Sequence, residues 1–141
     1  MSITINGNGT VTGISSLPDT AMATGSVIQV QTGSTETRTE ISGGTGTWHD
    51  TTLTATITPA SSSNHILVMV SGSLHTGNTS SGAITVFRGG TSGQDIGGTN
   101  GYGMLSVHGT GTTGGGGGTQ NGGFTVLDSP NTDQPTEYLV K

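Results

Sequence analysis

Residues 52–58 show the cleanest period-two alternation in the chain, and this pattern constrains the fold more than any other feature. Leu53, Ala55 and Ile57 alternate with threonines, so the three aliphatic side chains fall on one face of an extended segment. Pro59 then removes a backbone donor and ends the pattern. The segment is predicted to be a β-strand with one buried face and one solvated face.

A second segment, residues 66–70, is apolar at every position. A short run of this kind is typical of a strand that is covered on both faces, whereas a strand with one wet face alternates. We therefore expect residues 66–70 to form a central strand and to be the best protected strand of the fold.

Further strand-forming segments follow along the chain and are separated by glycine-rich turns. They are residues 27–31, 35–41, 83–88, 104–107, 123–127 and 137–140. Gly, Ser and Thr supply about half of the 141 residues, and strong helix formers are scarce. Many short strands with frequent turns predict an all-β fold, a β-sandwich of the jelly-roll type. In the second of these segments Glu36, Arg38 and Glu40 share one face, which we expect to be solvated.

The N-terminal region has a different pattern. Residues 3–14 alternate apolar and polar side chains around two Asn-Gly pairs, which favour tight hairpin turns. A short β arm is predicted, with four apolar residues as its contacts to other proteins of an assembly: Ile3, Ile5, Val11 and Ile14. Residues 15–25 lack periodicity and predict a linker. The predicted organisation is an arm and linker over residues 1–25 and a β-sandwich over residues 26–141.

The composition excludes several classes of function. The formal net charge is −5, and Arg38, Arg88 and Lys141 are the only strong cations, so no basic surface for nucleic acid is expected. The chain has no cysteine, which excludes disulfides and thiolate metal sites. No signal-like start and no apolar stretch of membrane-spanning length are present, so we expect synthesis in a cytosol and no membrane insertion.

Catalytic and cofactor chemistry finds little support in the sequence. Residues 109–114 match the G-x-G-x-x-G pattern, but a phosphate site needs a helix to open there, and further glycines follow instead. The whole stretch 109–123 predicts an exposed, mobile loop. His49 beside Asp50 is the best candidate for a metal ligand pair, yet a turn or capping role suits it better. We expect no enzyme, no cofactor and no metal site.

One aromatic residue stands apart from the predicted strands. Tyr102 lies among glycines close to Asn100, and this pair is a candidate contact for a receptor or a glycan. The alternative is that Tyr102 packs within the protein like most aromatic residues. Trp48 and Phe87 are expected in the core.

Several motifs, taken in order, resemble virion structural proteins of tailed phages, especially tail-fibre-like proteins of aquatic phages. They are GSVIQV at residues 25–30, WHDTTLTATITP at 48–59, SSSNHILVMV at 61–70, FRGGT at 87–91, LDSPNT at 127–132 and TEYLV at 136–140. The resemblance implies a β-sandwich module that forms homotrimers as a fibre or knob. Such proteins often carry Lys at the position of His65 and continue for several strands beyond the position of Lys141.

These observations lead to an expected function in a virus particle. We expect a fibre or knob component on the particle exterior that contacts itself and other virion proteins and takes part in host attachment. Two alternatives remain open: a capsid decoration or cement protein, and a glycan-binding module. Because residues 137–140 predict a strand with no segment after Lys141, either a neighbouring chain covers its edge or the sequence is incomplete.

Overall fold

The computed structural model describes residues 4–5, 11–12, 22–23, 25–41, 46–77, 80–98, 105–108 and 117–141. The chain divides into two compact units, Met1–Val30 and Gln31–Lys141. The described residues contain strands and one short 3₁₀ turn, Gly90–Ser92, with no α-helix among them. The all-β fold predicted from the sequence is confirmed. No helix in this part of the chain is long and apolar enough to cross a bilayer.

The first unit contains a short antiparallel pair, β1 (Thr4–Ile5) and β2 (Val11–Thr12). Ile5 lies opposite Val11 in the register, so the hairpin pairing predicted for the arm is confirmed. Ile3 and Ile14, the other two predicted arm contacts, lie outside the described residues. Their role in docking stays a prediction.

The second unit is built on a four-stranded antiparallel sheet in the order β3–β10–β6–β7. Its strands are β3 (Thr54–Ile57), β6 (Val86–Arg88), β7 (Gln94–Asp95) and β10 (Thr136–Val140). Strand β10 is central, because β3 pairs with one of its edges and β6 with the other. The sequence left open whether a neighbouring chain covers an edge of this strand; in the structure two distant segments of the same chain, β3 and β6, cover both edges.

Two further antiparallel pairs complete the described strands. The longer pair joins β4 (Ile66–His75) to β9 (Thr119–Asp128), ten residues each, and is called the β4–β9 ribbon below. The shorter pair joins β5 (Ser81–Ile84) to β8 (Leu105–His108). One predicted strand, residues 83–88, is thus divided between β5 and β6 by Thr85, which is fully buried and exchanges backbone hydrogen bonds with Lys141.

The hydrophobic core lies where the ribbon meets the four-stranded sheet. Ile66 of β4 packs in one cluster with Val86, Tyr138 and Val140 of the sheet. Partly buried side chains surround this cluster: Leu53, Ile57, Val68, Val70, Ile84, Ile96 and Phe124. The alternation predicted for β3 is confirmed, since Ala55 and Ile57 are half-buried between exposed threonines.

Strand β4 departs from its prediction in one respect. Residues 66–70 do form a strand, but only Ile66, Val68 and Val70 turn inward. Leu67 and Met69 are 59% and 74% exposed, because no second layer of the described chain covers the outer face. The expectation of a strand covered on both faces is therefore wrong for a single copy, and β10 is the better buried strand.

Two other predicted strands are absent. Residues 27–31 and 35–41 form no strand, although their composition favours one. No described segment pairs with their backbone as a ladder, and Val27 and Val30 are 77% and 71% exposed. The predicted solvated face is confirmed, since Arg38 and Glu40 form an ion pair of 2.9 Å that is largely exposed.

The glycine-rich stretch 109–123 also differs from its prediction. Residues 109–116 lie outside the described part, but residues 119–123 belong to β9 and pair with β4, so they are no loop. The glycines permit this close pairing: a Cβ on Gly123 would collide with the carbonyl oxygen of Val70. Ordering these glycines costs backbone entropy, which is why a loop is predicted here. The backbone hydrogen bonds with β4 offset that cost.

Replacing Gly123 with Ala tests this close approach. The new Cβ would force the β4–β9 ribbon apart, so we expect Gly123→Ala to lower the free energy of unfolding by about 1–3 kcal/mol. The matched control is Gly72→Ala on the partner strand, where a Cβ meets nothing within 4 Å. Denaturant unfolding followed by circular dichroism measures both. Equal effects of the two variants would contradict the tight approach at Gly123.

Candidate assembly surface

The outer face of the β4–β9 ribbon carries the most exposed aliphatic cluster in the described part of the second unit. Leu67 and Leu127 lie directly opposite each other in the register, and Met69 follows two positions along β4. Leu127 is 64% exposed, close to the values for the two β4 residues. Because side chains two positions apart share a face, the three residues form one apolar patch. We call it the Leu67–Met69–Leu127 patch.

The rest of this face consists of small polar residues, one glycine and one histidine. Its members on β4 and β9 are Ser71, Ser73, His75, Thr119, Asn121, Gly123 and Thr125. His75 and Thr119 are paired in the register, and Nδ1 of the histidine lies 2.7 Å from the threonine hydroxyl, which shows that both side chains are on the same side. The whole outer face, made of five register pairs, therefore carries no Asp, Glu, Lys or Arg.

A buried polar network attaches the ribbon to the four-stranded sheet. The Asp128 carboxylate, at the end of β9, accepts hydrogen bonds from Arg88 Nη1 at 2.8 Å and from the Tyr138 hydroxyl at 2.6 Å. Arg88 also donates to Gln94 Oε1 at 2.6 Å and to the Ser129 carbonyl at 3.2 Å. Asp128 is buried, and both of its oxygens have donors, so the cost of its burial is largely offset.

Tyr138 is a permanent donor in this network. Burial of its ring, reinforced by the hydrogen bond to the Asp128 carboxylate, raises the pKa of the phenol well above its ordinary value of 10. The hydroxyl therefore keeps its proton across the physiological range and holds β10 to the end of β9.

A second polar cluster lies on the opposite face of β10. Lys141 directly follows Val140, so its side chain lies on the face opposite Tyr138 and Val140. Its buried Nζ lies 2.9 Å from Asp50 Oδ1 and donates a hydrogen bond to the Thr91 carbonyl at 2.6 Å. The ammonium also lies 4.2 Å from the centre of the Phe87 ring, a cation–π geometry, and Trp48 meets the same ring edge-on. Trp48 and Phe87 are both half-buried here, outside the main core cluster.

Asp50, one of the two residues of the candidate metal pair His49 and Asp50, belongs to this cluster. Thr91 donates a hydrogen bond to Asp50, and this bond, followed by the one from Lys141, lowers the pKa of the carboxyl below its ordinary value of 3.8. The Asp50 carboxylate thus already has a cation as its partner. Among the described residues no three His, Cys, Asp or Glu side chains come together in a way that could hold a metal ion.

Most of the predicted site residues fall outside the part of the chain that the structure describes, so their roles stay predictions. Asn100 and Tyr102 lie outside the described residues, and Ile5 and Val11 belong to the first unit. Sequence reasoning missed Leu67, Met69 and Leu127. The signal was present in the unbroken apolar run 66–70, which indicates two covered faces, although one chain supplies only one cover.

The Asp128 network makes a testable contribution to stability. In Asp128→Asn the charge that faces Arg88 is lost, and the amide must present an N–H to one of two donors. We expect the free energy of unfolding to fall by about 1–3 kcal/mol. The matched control Asp133→Asn changes an exposed acid and should stay within about 0.5 kcal/mol. Chemical denaturation measures both variants. If Asp128→Asn leaves the free energy of unfolding unchanged, the network contributes nothing to stability.

The Asp50–Lys141 contact predicts a dependence of stability on pH. The carboxyl has a lower pKa when folded than when unfolded, so it stabilises the fold at pH values above 3.8. That contribution is lost as the pH falls through the lowered pKa. The melting temperature of Asp50→Asn should therefore lie below that of the wild type at about pH 6 and approach it at about pH 3. If the difference in melting temperature between Asp50→Asn and the wild type stays constant over this pH range, the Asp50–Lys141 contact is not its source.

Comparisons of the chain with protein-family models, with curated proteins and with solved structures give no match in any of the three. The resemblance to tail-fibre-like virion proteins therefore rests on the sequence motifs alone.

Proposed function

We propose that this chain is a structural subunit of a phage particle, a fibre or knob component displayed on the exterior that takes part in host attachment. In this proposal residues 1–25 form the arm that docks to other virion proteins, and residues 26–141 form the displayed body, a β-sandwich of the jelly-roll type. The subunit associates with copies of itself, as a homotrimer.

The observation that carries the proposal is the amount of aliphatic surface that one copy leaves in water. Only 28% of the residues are hydrophobic, yet many of the larger aliphatic side chains in the described part are exposed. They are Met22, Val27, Ile28, Val30, Ile41, Leu67, Met69 and Leu127. Single exposed aliphatic side chains are ordinary, but groups of them are typical of surfaces that bind another protein. The chain thus has the character of a subunit of an assembly.

The segment 25–41 supports this proposal independently of the ribbon. It combines β-branched residues and exposed valines with a backbone that has no ladder partner among the described residues. Extended segments of this kind add as a strand to an open sheet edge of a neighbouring protein, where main-chain hydrogen bonds supply the affinity. A fibre or knob subunit would use such a segment between copies.

The placement on a phage exterior draws on the motif resemblance over residues 25–141. The acidic net charge of −5 suits a displayed surface better than one that packs against the nucleic acid inside a head. Asn100 and Tyr102 remain the proposed receptor or glycan contact.

Locating the chain in particles tests the proposal. Antibodies against the purified chain, applied to purified particles of the encoding virus, should label fibre or knob positions in electron micrographs. Particles complemented with a chain lacking residues 1–25 should lose the label, because the arm supplies docking, while the truncated protein stays folded by circular dichroism. Absence of the chain from particles by mass spectrometry would refute the proposal. Hundreds of copies on the head would instead identify a decoration protein.

A further inference from the structure

We propose that the Leu67–Met69–Leu127 patch is a contact between copies of this chain, in which the outer faces of two β4–β9 ribbons pack against each other. The inference goes beyond the proposed function, because it names the surface and its occupant. It needs self-association only, and does not depend on the location of the assembly in a virus particle.

The first argument comes from the pattern of residues in β4. An unbroken apolar run is typical of a strand with a layer on both sides. The chain supplies one layer, in which Ile66, Val68 and Val70 pack toward the core. A second copy of the same ribbon supplies the other layer. Both faces of residues 66–70 are then covered by apolar side chains, as the sequence pattern indicates.

The second argument is electrostatic. The chain carries a net charge of −5, so two copies repel each other over most approaches. The outer face of the ribbon is an exception, since it has no Asp, Glu, Lys or Arg at any register position. The acid at the end of β9, Asp128, faces inward and is neutralised by Arg88. The one titratable group on the face is His75, at the far end from the patch, where its Nδ1 meets Thr119. This face therefore fits a second acidic copy.

The third argument is shape. Leu67 and Leu127 lie side by side near one end of the ribbon, so a two-fold axis parallel to the outer face can place the patch of one copy over the patch of another. Two such faces pack about 10 Å apart in sandwiches, with their side chains interdigitating. The Met69 side chain of one copy can then lie beside the leucine pair of the other. The contact uses the same surface on both copies and so has two-fold symmetry, which means that in the proposed assembly it joins subunits of different trimers.

The size of the face sets the expected strength. The three side chains expose a few hundred square ångströms, whereas a stable interface buries about 800 Å² on each partner. The ribbon contact alone therefore gives weak association, with a dissociation constant on the order of 100 µM. Further contacts would make it stable in a full assembly.

Sedimentation equilibrium of the purified full chain tests this inference. The wild type should associate between about 10 µM and about 1 mM. Met69→Glu, which buries an unpaired charge in the contact, should weaken association by at least about tenfold. Ser62→Glu adds the same charge in the exposed turn before β4 and should leave association unchanged. Melting temperatures near that of the wild type would show that both variants are folded.

Cysteine cross-linking gives a direct second readout, because the chain has no cysteine of its own. Leu67→Cys, Met69→Cys and Leu127→Cys are oxidised separately, with Ser62→Cys as the matched exposed control. We expect at least one patch variant to form a covalent dimer about tenfold faster than the control. Three results would each overturn the inference: a monomeric wild type over the whole range, association that Met69→Glu leaves unchanged, or cross-linking no faster than the control. In each case the chain could still be located in particles, so the proposed function is judged separately.

Discussion

The carboxylate of Asp128 is the interaction on which the rest of the structure depends most. It lies at the end of β9 and receives one hydrogen bond from Arg88 on β6 and another from Tyr138 on β10. Three strands from two separate sheets thus meet at one residue. Because Tyr138 is also a member of the apolar core cluster, the same side chain fills the core and terminates the polar network. The ribbon is positioned over the sheet by this shared residue.

Polar contacts of this kind matter because the apolar core is small. Few hydrophobic side chains in the described part are fully buried, and glycine, serine and threonine occupy many strand positions. A chain of this size has a limited area to remove from water, so specific hydrogen bonds have a larger share in fixing which strands pair. Lys141 illustrates this on the other face of β10, where Asp50, Thr91 and Phe87 surround its ammonium. The two networks hold the two faces of the central strand.

Local pattern was sufficient to predict the fold class and several strands. The alternation at Leu53, Ala55 and Ile57 depends only on neighbouring residues, and β3 follows it. The central place of β10 could not be predicted, because it arises from pairing with segments far away in the chain. For the same reason propensity predicts strands at residues 27–31 and 35–41, although these residues pair with no strand of the described chain. The outer patch at Met69 was likewise hidden, since the sequence indicates how many faces are covered and not by what.

The position of β10 has a consequence for how the protein folds. Its partners β3 and β6 are made earlier, and the Thr51 hydroxyl donates to the carbonyl of Val140, 89 positions later in the sequence. Most of the sheet is thus closed by contacts of high sequence separation, which makes folding slow compared with that of helical proteins of this size. Until β10 arrives, the facing edges of β3 and β6 are both open and can pair with other chains. Nascent chains are therefore exposed to aggregation at high concentration, and a chaperone that shields these two edges would raise the yield of folded protein.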